Sequence, residues 1–235
     1  MLKKSYYFLK LSVVYVFCSA YICGFTEFTP KNYYSMSIAE FMALEIIKSK
    51  VDINNPDYEL LNAVVFHATN QQRLKLKLKT LKHSTSLEKA AMLHSSNMVK
   101  HNFFDHIDKK NKDLKEPDNR IMKSGGKYAA TGENIHRITI YNITGKTDYI
   151  IEFDKGIPIY YQITPRGQKG NKFEILTYLE AGQKVVESWM KSSGHKANII
   201  DKNFTELGCG SFIKLGSSNG EHMPELYFTQ NFGGN

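Results

Sequence analysis

Trp189-Met190-Lys191-Ser192-Ser193-Gly194-His195-Lys196-Ala197-Asn198-Ile199-Ile200 carries an indole, a serine-glycine break and a histidine in close succession. Upstream of it, Val185, Val186 and Trp189 recur at helical spacing, which predicts a helix over about Leu179 to Ser193, with those three buried and Gly194 as its stop. Downstream, Gly208 to Leu215 and Glu225 to Phe232 read as two strands joined through the turn-rich Gly216 to Gly220. A long helix feeding two closing strands points to a mixed α/β domain.

Toward the N-terminus the helical pattern returns twice. Pro56 suits the first turn of a helix continuing through Leu60, Leu61, Val64, Val65 and Ala68. Thr85-Ser86-Leu87-Glu88 has the spacing of a capping box, and Leu87, Ala91 and Met98 follow at helical intervals, so residues 86–101 read as a helix. His94 lies on its apolar stripe and reads as a packed, hydrogen-bonded core histidine, whereas His101 reads as a surface residue. Between the two halves, about residues 137–177, the chain is rich in β-branched and aromatic residues broken by Gly145, Gly156 and Pro165-Arg166-Gly167. This reads as a β-hairpin excursion inserted into the domain.

Four pieces now stand in order. They are Leu87-x2-Ala90-Ala91-x2-His94-Ser95-x2-Met98 running into Phe103-Phe104-Asp105-His106; Gly132-Glu133-Asn134-Ile135; the Trp189 to Ile200 stretch; and Tyr227-x2-Gln230-Asn231-Phe232-Gly233. Together they resemble the CAP superfamily (cysteine-rich secretory, antigen 5 and pathogenesis-related), in its bacterial SCP-like form. The resemblance implies an α/β (α+β) fold, an α-β-α sandwich with a small antiparallel sheet between helical layers. It assigns residues 51–235 to the domain and implies a cleft into which His106, Glu133 and His195 converge. Because the family keeps the motifs on either side of the inserted β region closer together, replacing Arg137 to Ile175 by a short Gly/Ser linker is expected to leave a folded protein. Two imidazoles and a carboxylate suit Zn²⁺ with an open position, or proton exchange near neutral pH. Zinc is thus an optional ligand of His106, His195 and Glu133 and not an obligatory cofactor. Many relatives carry a glutamate where Ser192 stands here; Glu187, 200° from Trp189 around the helix, faces solvent, and both count only as weak contributors. Trp189, Asn134, Asn198 and Gln230 read as structural members of the motifs.

The chain has 235 residues, 42% of them hydrophobic, enough to bury a core. Lys3, Lys4 and Lys10 precede the apolar run Leu11 to Phe25, the shape of a secretory signal peptide over residues 1–20 or, uncleaved, of an N-terminal anchor. Residues 21–50 then read as a leader or linker, or, through the short amphipathic stretch Ile38 to Ile47, as a docking helix before the domain. The expected location is secreted or extracellular, with periplasmic or membrane-anchored as alternatives. Cleavage after Ala20 lowers the net charge from +8 to +5, too mildly basic for a nucleic-acid partner, and leaves Cys23 and Cys209 as two unrelated thiols. Contact with a membrane is expected only through an uncleaved N-terminal segment. No Gly-x-Ser-x-Gly elbow or His-Glu-x-x-His motif supplies a nucleophile or a protease zinc site. The expected function is a non-enzymatic binding module for a metal ion, a small apolar or lipid ligand, or a macromolecular partner. The alternatives are a metal-dependent hydrolase with the ion on His106 and His195, and a structural envelope or matrix component.

Overall fold

The computed structural model describes residues 32–143 and 148–235; the expected signal peptide, Cys18 and Cys23 lie outside the described residues. Among these residues the helices are α1 (Ile38–Met42), α2 (Tyr58–Lys75), α3 (Thr85–Lys100), α4 (Pro117–Lys123), α5 (Tyr178–Lys191) and α6 (Ser193–Ile200). The strands are β1 (Lys82–His83), β2 (Ala130–Thr139), β3 (Tyr149–Asp154), β4 (Ile157–Ile163), β5 (Lys169–Lys172), β6 (Glu206–Lys214) and β7 (Glu225–Gly234). A four-stranded sheet runs β1-β6-β7-β2, and a separate three-stranded sheet runs β3-β4-β5. All pairings are antiparallel except β1 with β6, which is parallel.

The main sheet lies between two helical layers because its strands alternate in what they offer each face. Leu207, Cys209, Leu226, Phe228 and Phe232 join Val64, Val65, Val185, Val186 and Trp189 in one core with α2 and α5. On the opposite face Gly208 and Gly210 let the backbone of α3 sit directly on β6. A Cβ at Gly210 would fall 2.1 Å from Met92 N and 2.3 Å from the Ala91 carbonyl carbon, so both backbones would have to separate. Ser95 Oγ reads the same face by bonding Gly210 O (3.1 Å) and Thr229 Oγ1 (2.9 Å). Gly210→Ala is expected to lower the unfolding free energy by about 1–3 kcal/mol. Gly194, with open space at its Cβ position, is the control: alanine there should leave stability unchanged or raise it by up to about 1 kcal/mol. Urea midpoints that move equally for both would remove the close-approach argument.

Local chemistry shifts three expected boundaries. Asp57, whose side chain accepts from Leu60 N–H at 2.9 Å, caps α2 one residue after Pro56. Ser84, not Thr85, caps α3, because Glu88 turns away to His83 and Tyr34. Gly194 does not stop a helix. The break falls at Ser192, whose extended backbone (φ −93°, ψ 124°) ends α5 and starts α6.

Two larger expectations are corrected. Residues 33–50 are not a loose leader or linker but part of the fold, packed as the docking-helix alternative has it: Tyr33, Phe41 and Ile47 are buried in the main core. Phe41 stacks on His67 with ring centroids 4.1 Å apart, and His67 Nε2–H donates to Tyr33 O at 2.9 Å. The inserted β region is also no appendage, since Tyr160 and Phe173 belong to that same core. It begins only after β2, whose register with β7 runs to Thr139, and Phe173 to Leu176 returns as a single bridge between Ile175 and Tyr141 instead of a strand.

Candidate functional site

β2 is an edge strand of the main sheet, and its alternating side chains address two different layers. Glu133 points to the α3 side. Its Oε1 accepts from His106 Nδ1 at 2.8 Å, and its Oε2 accepts from Arg120 at 2.8 Å. The Asn231 amide, oriented so that its oxygen accepts from Ala91 N–H, also donates to Glu133 Oε2 at 3.2 Å. Burial by itself would raise the Glu133 pKa, but the hydrogen bonds from His106 and Arg120 and the Arg120 charge outweigh it and hold the carboxyl below its usual range. The same hydrogen bond raises the pKa of His106 against the opposing effect of burial.

Arg120 is the residue that the sequence reading missed. Its side chain is fully buried on α4 and donates to Leu114 O, Lys115 O and His106 O as well as to Glu133. One guanidinium therefore fixes the loop after α3 that carries His106 and neutralises the acid that His106 touches. Only the arginine in a short helix opened by Pro117 could have hinted at this, and nothing in its spacing ties it to Glu133. His94 behaves as expected of a core histidine: Nε2–H donates to Asp105 O at 3.0 Å, and desolvation pulls its pKa to about 4, so it is neutral near pH 7.

The α5–α6 side holds the other histidine. Asn134 Nδ2 donates to His195 O (3.1 Å) and to Gln230 Oε1 (3.2 Å), and Asn134 Oδ1 accepts from Asn198 Nδ2 (2.9 Å). Asn198 Nδ2 also reaches Glu133 O, and Trp189 Nε1 donates to Ile135 O, both at 3.2 Å. Two carbonyls of an edge strand, which would otherwise be open to pairing, are thus closed by the indole and the amide. The four residues read as structural pin His195 beside the strand. Burial lowers the pKa of His195, and the nearby His106 lowers it further; His136, also overlooked in the sequence, is lowered by burial and by His195.

His106 and Glu133 are thus in direct contact, whereas the His195 side chain stands close enough to feel His106 but bonds neither. Ser192 is half-buried at the helix break, and Glu187 is exposed on α5, lining a shallow surface groove with Lys184 and Lys191. Of the expected zinc set, the structure brings His106 and Glu133 into contact. Among the described residues no three His, Cys, Asp or Glu side chains gather closely enough to hold one ion. Both oxygens of Glu133 carry hydrogen bonds, one from His106 and one from Arg120. Cys209 is a free, fully buried thiol whose pKa burial raises, an inert part of the core.

A family model described as the cysteine-rich secretory protein family, CAP, matches residues 66–232. "Uncharacterized protein YkwD" of Bacillus subtilis (strain 168) is 28% identical over 153 residues, covering 65% of this chain and 42% of that protein. "Uncharacterized membrane protein YlbC" of the same strain is 24% identical over 168 residues, covering 72% of this chain and 33% of that protein. The chain therefore spans less than half the length of either relative. Among solved structures, an extracellular protein containing an SCP domain from Bacillus anthracis aligns with TM-score 0.48 and 20% identity over 76% of this chain and 41% of that one. An outer surface protein of Borrelia burgdorferi aligns with TM-score 0.48 and 16% identity over 80% of this chain and 98% of that one. Since the family model covers well over half of its residues, this chain belongs to the cysteine-rich secretory protein (CAP) family.

Proposed function

We propose that the protein works outside the cytoplasm as a non-enzymatic binding module whose cleft lies along β2 between His106 and His195. One observation carries this reading: the buried acid of the cleft, Glu133, has both oxygens committed to His106 and Arg120. The metal-dependent hydrolase would need that carboxylate as metal ligand or general base, and here it serves to orient an imidazole. What remains for a ligand is the half-exposed His106 ring, fixed from behind through Nδ1, with His195 and His136 as neutral neighbours. Export is supported by the signal-like N-terminus, and among the described residues no helix is long and apolar enough to cross a membrane.

The test compares the wild-type protein with the His106→Ala, His195→Ala double variant. Calorimetric titration with Zn²⁺ and turnover of ester and peptide substrates in the presence of Zn²⁺ are expected to be the same for both. A heat of Zn²⁺ binding or a rate of hydrolysis that the double variant loses would overturn the reading in favour of a metal-dependent hydrolase.

A further inference from the structure

Arg73-Leu74-Lys75-Leu76-Lys77-Leu78-Lys79-Thr80-Leu81-Lys82 alternates cations with leucines, and no acid occurs between Glu59 and Glu88. The stretch is the end of α2 and the turn into β1. Lys77 takes a left-handed backbone (φ 58°), and Leu78 N–H bonds back to Arg73 O at 2.9 Å, closing the helix C-terminus. Arg73 itself is buried, donating to Lys79 O, Ile199 O and Asp201 O, each at 2.8 Å. The turn is therefore held firmly while its other side chains stand out from the body.

Lys75, Lys77, Lys79 and Lys82 are all exposed, and among the described residues none of them enters an ion pair. In the same stretch Leu74 is 52% and Leu76 47% exposed. Beside this ridge runs a groove of about 580 Å³ with Met36, Ile38, Phe66 and Leu74 in its walls. Lysines at a helix C-terminus complement the helix dipole, which accounts for Lys75 and Lys77. It does not account for Lys79 and Lys82, beyond the helix, or for two leucines held in water.

We propose that this ridge is a docking surface for an anionic lipid bilayer, with the four lysines at the headgroups and Leu74 and Leu76 entering the interface. A soluble polyanion would match the lysines but leave the leucines without a role. The geometry adds a consequence for the cleft. The ridge leads into β1 and the cleft follows β2, which are the two opposite edges of the main sheet. A domain docked through the ridge holds its cleft away from the membrane, open to whatever approaches from outside.

Co-sedimentation of the full chain with phosphatidylglycerol-containing and pure phosphatidylcholine vesicles tests this. Every variant keeps residues 1–31, so any contribution of those residues is common to all arms. Binding is expected to be stronger on the anionic vesicles and to weaken with salt. At about fivefold per lysine, Lys75→Gln, Lys79→Gln and Lys82→Gln together should lower the preference for anionic vesicles by about a hundredfold. Leu74→Ser with Leu76→Ser should weaken binding by about tenfold or more while the charge is unchanged. Equal binding to both vesicle types, an unchanged preference in the triple variant, or soluble polyphosphate binding that ignores the leucine variant would each overturn the proposal.

Discussion

Arg120→Ala is expected to destabilise the protein by about 3–5 kcal/mol, because it leaves the Glu133 carboxylate buried with half of its compensation gone. Both side chains are shielded from water, at 0% and 2% exposure, so the pair is not weakened by solvent screening. The loss extends beyond one ion pair: the carbonyls of Leu114, Lys115 and His106 lose their donor too, and with them the loop that presents His106. Urea unfolding of wild type and variant at neutral pH reads the effect directly, and a loss below about 1 kcal/mol would show that the guanidinium is incidental. Replacing both partners, Arg120→Met with Glu133→Leu, should cost much less than the single change, since no charge is then left unpaired.

The pH dependence of this cluster has two limbs. Glu133 is held below its unfolded pKa, so its contribution is complete above the ordinary carboxyl range and is lost as pH falls through the depressed folded value. His106 is raised, so its contribution is complete below the ordinary imidazole range and is lost as pH rises through the raised folded value. The hydrogen bond between them is therefore at full strength between the carboxyl and imidazole ranges. Because the His106 side chain is 43% exposed, its limb is the shallower of the two.

Much of the fold was legible because period and punctuation carry it. Leu87, Ala91 and Met98 identify α3, and Val185, Val186 and Trp189 identify α5, since each set repeats the geometry of a buried face. The strand containing Glu133 was harder to read. Gly132-Glu133-Asn134-Ile135 has no alternation of apolar and polar residues, because both of its faces are buried, one against a polar cluster and one against an amide network. The site divides in the same way. His106, Glu133 and His195 were visible through ordered motifs, whereas Arg120 was not, since its partners lie on a loop and a strand that only the tertiary fold assembles. Residues 33–50 were legible only in part: the amphipathic stretch Ile38 to Ile47 is too short to separate a leader from a docked helix, and the packing of Tyr33 and Phe41 around His67 is set by the tertiary fold.

The inserted β region gives the other large expected effect, opposite in sign to what the family resemblance implies. Replacing Arg137 to Ile175 by a Gly/Ser linker should abolish cooperative unfolding. The cut takes the last three residues of β2 and removes Ile138, Ile140, Tyr141, Tyr160 and Phe173 from the main core. At about 1.5–3 kcal/mol per large buried side chain, five such losses match or exceed the about 5–15 kcal/mol by which a domain is stable at all. A narrower deletion, Tyr149 to Ile163, keeps the β2–β7 register and the bridge between Tyr141 and Ile175, and of those five it loses only Tyr160. That version should stay folded, with a cost of about 3–5 kcal/mol for the missing aromatic. Trp189, the only tryptophan in the chain, is buried against Ile135 on β2 and reports both outcomes by its fluorescence during urea unfolding. A sharp Trp189 transition in the large deletion would place the excursion outside the cooperative unit, whereas loss of the transition there and its retention in the narrow one locates the boundary at the strands that touch the core.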